Sequence, residues 1–445
     1  MSINKPASFT DEVNRFNGNK TGVGNYRWFI AFLLFAATTI NYIDRQIFGL
    51  LKPELEKVFN WTETDYSRIV MAFTACYAIG QLVYGKIIDR IGTKLGYTIS
   101  VTVWSIAAMA HAAVRSTLGF GIVRSFLGLG ESGNYPGGVK TTSEWFPKKE
   151  RALAIGILDS GSNIGACVGP ILVPWLLAVY GWQLAFLITG SLGFIWLIVW
   201  RIFYFTPSKQ KRLSKAEYDY IHSDDEGDTE STGNVSWGKL LKMKQTWAFI
   251  AGKFFTDPIW FFFLFWLPSY FNTYFSLNLK EPSLPLVIVY AGTMIGSIGG
   301  GYLSSWLIKK GWTVNKARKM ALLVSAICVI PIIATRYTTD MWTVVALISL
   351  SVAANQAWSA NIFAIVPDMF PKKAVSTVIG LGGMAGAIGS VLFPMFIGWI
   401  LDLYKNAGNI VAGYNIIFIV CGVSFMIALV IIHLLVPKME KATIV

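Results

Sequence analysis

Histidine and cysteine are scarce in this chain and nowhere clustered. The three histidines, His111, His222 and His433, stand far apart, and the four cysteines, Cys76, Cys167, Cys328 and Cys421, fall one per apolar run without a C-x-x-C pair. This spacing excludes a His/Cys metal centre and gives no disulfide framework. The cysteines read as small buried hydrophobes. Charge is also short: only 14% of residues are Asp, Glu, Lys or Arg, against about 25% in an ordinary soluble protein. There is no P-loop and no Ser–His constellation, so nothing supports a membrane enzyme. No polar stretch is long enough for a soluble output domain, which argues against a sensor or scaffold. The longest interruption, about 206–245, has the length of a linker. A cleavable signal peptide of the expected form is missing too. The first 25 residues are polar, and the apolar run that follows is long enough to stay in a bilayer.

What is abundant is apolar. Of 445 residues, 54% are hydrophobic and 15% aromatic, with 17 tryptophans suited to membrane-interface belts. Apolar runs long enough to span recur at about 28–51, 66–88, 95–114, 117–139, 152–178, 182–205, 246–274, 284–308, 318–336, 341–366, 375–402 and 411–436. They predict an all-α membrane protein of about twelve transmembrane helices in two six-helix bundles. The expected division is a tail (1–27), a first bundle (28–205), a linker loop (206–245), a second bundle (246–436) and a tail (437–445). Within the linker, Ser214 and Glu217 predict a capping box, and the acidic DDEGDTESTGN is a solvated stretch.

The net charge of +13 is a topology signal. With both termini and the even-numbered loops on one side, that side holds 28 of the 38 Lys and Arg, and the other side holds 7. The positive-inside rule makes that side cytoplasmic, so the expectation is a multi-pass protein of the cell (inner) membrane with both termini inside. Nucleic-acid binding has no support. The chain also repeats itself: WFPKKERALAIGILDSGSNIGACVGP from Trp145 matches MFPKKAVSTVIGLGGMAGAIGSVLFP from Met369 at a shift of 224 residues. A parallel repeat at half the chain length is a transporter architecture, with its site expected near mid-membrane between the halves.

Seven ionisable residues fall well inside the spans, away from their ends: Asp44, Arg45, Arg124, Glu131, Asp159, Lys253 and Asp257. At roughly 3 kcal/mol each at a helix centre, exposing all of them to lipid would cost about 20 kcal/mol. They must face a cavity or one another. Arg124 and Glu131, two helical turns apart, share a face. Tyr77 and Gln81 share a face of the second span. Lys253 and Asp257, at i, i+4, favour a local ion pair, which is equally a purely structural arrangement. Asp159 suits a gate contact or a helix-end role as well as a ligand role. The stretches GLGGMAGAIG and GSIGGG place small residues where helices cross closely. In RSFLGLGESGNYPGG, residues 124–138, the glycines Gly128, Gly130 and Gly133 mimic a dinucleotide fingerprint. They lie inside an apolar span with no strand before them, so they read as thinning a helix instead.

These stretches together resemble the major facilitator superfamily. GKIIDRIGTK resembles its signature loop between the second and third helices, where the resemblance implies that Asp89 and Arg90 hold the cytoplasmic side closed. NYIDRQ, GESGNYPGG, SEWFPKKERALAIGILDSGSNIGA and KFFTDPIWFFFLFWLPSYF resemble the anion:cation symporters, and within them the bacterial hexuronate and galactonate group. The resemblance covers nearly the whole chain. It implies proton-coupled uptake of a small organic anion without any cofactor, the proton being the coupling ion, by a monomer. Asp44 and Glu131 would be the proton-coupling acids. Tyr42, Arg45, Tyr77, Gln81, Arg124, Ser162 and Asn163 would line the anion site, with Asp159, Lys253, Asp257 and Asn355 as gate or second-half positions. Paired arginines suit a carboxylate and disfavour export of cations. Another organic anion, or phosphate, remains open. The expected coupling is competition between substrate and Glu131 for Arg124.

Overall fold

The structure, a computed structural model, describes residues 23–223, 237–370 and 372–440. Both chain ends, the acidic linker stretch and the Asp89 side chain lie outside the described residues. Among the described residues the regular elements are all helices. The first half holds α1 (Tyr26–Leu50), the short α2 (Lys52–Phe59), α3 (Glu63–Ile91), α4 (Thr93–Ala110), α5 (Thr117–Glu131), α6 (Asn134–Trp145) and α7 (Lys148–Phe203). A linker helix α8 (Lys215–Ile221) and a single turn α9 (Trp237–Leu240) follow. The second half holds α10 (Lys244–Phe265), α11 (Leu267–Phe275), α12 (Leu284–Lys309), α13 (Val314–Val329), α14 (Met341–Met369), α15 (Lys372–Asn406) and α16 (Ile410–Leu435).

Eight helical stretches have the length and hydropathy of a membrane span. The longest, Leu153–Phe203, is two passes, because Gly181 sits at φ 78° and ψ 171°. Only glycine takes that left-handed backbone without steric penalty. The helices α3, α4 and the α5–α6 pair supply passes that are shorter or more polar, so the architecture agrees with the twelve expected. Two expected spans are broken. The fourth parts at Ser132–Gly133 into α5 and α6. The seventh parts at Trp266, with Pro268 in the first turn of α11, where the missing N–H costs nothing.

Local signals set the helix starts. Thr62 and Asp65 form a complete capping box at α3, while Ser116, Thr313, Asp340 and Asn409 cap α5, α13, α14 and α16 through their side chains. At α8 only half of the expected box forms. Ser214 accepts from the Glu217 N–H at 3.2 Å, but the Glu217 carboxylate turns away to accept from the backbone N–H and guanidinium of Arg27 at 3.0 and 3.2 Å. Arg27 also reaches Glu150 at 2.9 Å. The linker helix is thereby tied to the starts of α1 and α7.

Glycines on a four-residue repeat bring the rods together. Gly161, Gly165 and Gly169 of α7 lie on α1 at Phe35, Tyr42 and Gln46, and Gly292, Gly296 and Gly300 of α12 lie on α14 at Ser349, Ala353 and Ala357. A side chain at these positions would strike the facing helix, the small-residue crossing expected in a membrane. Hydrogen bonds between the two halves of the chain gather at the end opposite the described termini. Tyr66 donates to the Phe265 carbonyl at 3.0 Å, Ser283 N–H to the Pro170 carbonyl at 2.9 Å, and Asp402 accepts from the N–H groups of Glu63 and Thr64 at 2.8 and 2.7 Å. That end is closed.

Candidate functional site

The charged residues of α1 and α5 meet in the middle of the first half. Asp44 and Arg45 are neighbours on α1, and consecutive helical side chains point about 100° apart. Arg45 therefore reaches toward α5 and α3 while Asp44 faces elsewhere. Arg45 Nε lies 2.8 Å from Glu131 Oε2, and its Nη2 donates to Asn41 Oδ1 at 3.2 Å. Its guanidinium is packed against the rings of Tyr42 at 4.7 Å, Tyr77 at 4.6 Å and Phe73 at 5.5 Å. Cation–π contact with a desolvated guanidinium adds to the ion pair.

Arg124 is fully buried. It does not hold Glu131, contrary to the expectation from their spacing. It donates to the backbone carbonyls of Arg45 at 2.9 Å and Asp44 at 3.5 Å, and sits over Phe48 at 4.5 Å and Phe73 at 5.0 Å. The seven-residue interval does put both side chains toward α1. It could not reveal that Arg45 lies nearer the acid. Asp44 is buried and in no ion pair among the described residues; neither carboxylate oxygen makes a well-formed hydrogen bond, though the Thr189 side chain lies within interaction range. Glu131 Oε1 and Arg124 Nε are likewise unpartnered. Two guanidiniums and two carboxylates are thus buried on neighbouring turns of α1 and α5, and of the two acids only Glu131 is in an ion pair among the described residues.

The glycines of the false nucleotide loop explain how α5 gets this close. A Cβ on Gly128 would collide with the Phe73 carbonyl on α3, and one on Gly130 with the Trp104 backbone on α4. Ser100 of α4 donates to the Gly130 carbonyl at 2.7 Å. α5 ends at Glu131 itself. The stretch thins the helix and sets its acid at a break.

The other expected positions divide. Tyr42 and Tyr77 belong to the Arg45 cluster. Gln81, one turn beyond Tyr77, is half-buried and has no hydrogen-bond partner among the described residues. On α7, Asp159 is exposed and within electrostatic reach of Tyr42 and Tyr135. Ser162 donates to the Asp159 carbonyl at 2.6 Å, and Asn163 is half-buried beside it. Of these, Asp159 is the one in electrostatic reach of the Arg45 cluster, through Tyr42. In the second half Lys253 pairs with Asp257 at 2.8 Å, as their spacing predicts, and stands 4.2 Å from the Phe363 ring. Gly386 of α15 leaves room for the Asp257 carboxylate. Asn355 is buried on α14 without a hydrogen-bond partner among the described residues. This group is not joined to the Arg45 cluster by any described bond. Arg90 is exposed at the end of α3. Sequence reasoning missed Asn41 and Phe48, whose only signal was helical spacing from Arg45, and Phe73, one turn before Tyr77 on α3.

An all-helical membrane bundle with glycine crossings and charges turned inward is the build of a transporter, and the chain belongs to the Major Facilitator Superfamily, whose sequence profile matches residues 34–394 and 318–444. It is a multi-pass membrane transporter and not an enzyme. The chain is similar to the hexuronate transporter of Escherichia coli strain K12, with 33% identity over 380 residues, 84% of this chain and 88% of that protein. It is similar to the galacturonate transporter of Dickeya chrysanthemi, with 34% identity over 68% of this chain and 89% of that one. Among solved structures, a bacterial homolog of the human lysosomal transporter Spinster shares the fold, with a TM-score of 0.77 and 17% identity over 93% of this chain and 98% of that chain.

Proposed function

We propose that this transporter imports a sugar acid, a hexuronate or an aldonate, together with protons by alternating access. The observation that carries the reading is the buried Arg45–Glu131 pair at 2.8 Å, set beside Arg124 and an Asp44 in no ion pair among the described residues. Relatives named as hexuronate and galacturonate transporters support the substrate class. Loops rich in Lys and Arg on the side of the termini support a cytoplasmic placement of that side. The two halves, 28–205 and 246–436, would rock about the site between them.

The coupling follows from what Arg45 can bind. With Glu131 ionised, its guanidinium is already engaged. A proton on Glu131 removes that partner and frees the fork for a carboxylate, which guanidinium binds bidentately. By reciprocity, a substrate that captures Arg45 makes Glu131 easier to protonate. Proton and anion therefore enter together. Asp44, in no ion pair, is a place for a second proton. Hydroxyls of the sugar would meet Tyr42, Tyr77, Gln81, Ser162 and Asn163.

Glu131→Gln tests this in vesicles with an imposed pH gradient. The variant should lose concentrative uptake while still exchanging substrate across the membrane. Concentrative uptake that persists unchanged refutes the coupling role. A panel of glucuronate, galacturonate, galactonate and inorganic phosphate assigns the substrate, and preference for phosphate would overturn the sugar-acid reading.

A further inference from the structure

A second charged cluster lies at the closed end, apart from the Arg45 site. Lys52 is fully buried at the start of α2. Its ammonium lies 2.8 Å from Glu63 Oε1, 2.9 Å from Glu56 Oε1 and 3.0 Å from the Ser269 hydroxyl. Glu56 is on α2, Glu63 begins α3, and Ser269 is on α11 in the other half, so this group ties the halves together. The remaining elements against it add Tyr66 of α3, whose ring lies 5.1 Å from the ammonium, and the buried Tyr414 of α16. From α15 come Asp402, already engaged with two N–H groups at the start of α3, and the exposed Lys405.

Two carboxylates thus share one buried ammonium. Glu63 is 1% exposed, and its second oxygen has no hydrogen-bond partner among the described residues. Asp402 is compensated by the positive end of α3, and Lys405 is screened by water. The Glu56 side chain keeps 17% of its surface exposed and is partly solvated, so with both glutamates ionised the excess negative charge that burial disfavours falls on Glu63. Opening the seal would give Glu63 back to water. We propose that Glu63 is a proton-binding site of this gate, taking one proton from the water on that side as Lys52 and Ser269 seal it and returning the proton when the seal opens. Acid on that side then drives the gate shut. Under the alternating-access part of the proposed function, this delivers the loaded site to the opposite face. The inference does not depend on the substrate or on the roles of Asp44 and Glu131.

The test reads distance, not uptake. Spin labels go on Lys57→Cys and Thr339→Cys, both exposed at this end and in opposite halves, in the full-length chain in lipid nanodiscs with its native cysteines replaced by alanine. Measuring first with Asp44→Asn and Glu131→Gln in place silences the central acids. Between pH 5 and 8 the short-distance population should grow as pH falls, by at most about tenfold per pH unit for one linked proton. Glu63→Gln should hold the short distance at every pH. A distribution that ignores pH, or a Glu63→Gln protein with undiminished pH dependence, overturns the proposal. If Glu56→Gln removes the dependence and Glu63→Gln does not, the assignment to Glu63 is wrong. Should the central substitutions impair folding, the same comparison with Asp44 and Glu131 intact must show Glu63→Gln lowering the pH slope by one proton. Uptake in the Glu131→Gln vesicle experiment stands or falls separately.

Discussion

Arg45 does three things with one side chain: it pairs with Glu131, donates to Asn41 and lies between aromatic rings. A lysine there keeps the charge but loses the planar fork and the stacking. Charge-assisted hydrogen bonds contribute about 1.5–3 kcal/mol. Arg45→Lys should therefore raise the KM for sugar-acid uptake at least about tenfold, read from initial rates in the vesicle assay. An unchanged KM would remove Arg45 from the anion site. The participants of this cluster were legible as residues, because charge inside an apolar run has to be accounted for. Their partners were not. Interval along a helix gives a shared face, and here Arg124 and Glu131 do share one. Which guanidinium reaches the acid depends on how α1 crosses α5, and no spacing within either helix encodes that.

At the scale of elements, the glycines were the best-read feature. Gly128 and Gly130 occur in a run that mimics a nucleotide loop, yet they serve to bring α5 against α3 and α4. Overpacking such a contact costs about 1–3 kcal/mol. Gly128→Val should lower thermal stability in detergent by several degrees, whereas Gly121→Ala on the same helix, with open space around the added methyl, should be neutral or slightly stabilising. Equal losses in the two variants would deny Gly128 its packing role. Boundaries read less well. The breaks at Ser132–Gly133 and Trp266 lie within continuous apolar runs, which hydropathy cannot divide. The half-formed capping box at α8 failed for a related reason: the Glu217 carboxylate found Arg27, 190 residues away in sequence.

At the scale of the whole molecule, the bonds across the closed end would have to break together under the proposed alternating access. Asp402 is the simplest of them. Thr62 already caps α3 from within, so the Asp402 carboxylate on the Glu63 and Thr64 N–H groups is a second cap reaching over from the other half. Losing a cap costs about 1 kcal/mol. Here that cost falls only on the closed state, since opening separates α15 from the start of α3. Asp402→Ala should therefore shift the open-to-closed ratio at this end by roughly fivefold toward open, seen with the same spin-label pair. Because Asp402 binds N–H groups and not the Lys52 cluster, the shift should be similar at pH 5 and pH 8 in the background lacking Asp44 and Glu131. A shift that appears only at one pH would mean that Asp402 acts through the ionisation of Glu63. Each half keeps its own glycine-packed core in either state, so the variant should melt within a degree or two of the parent while its gate equilibrium moves.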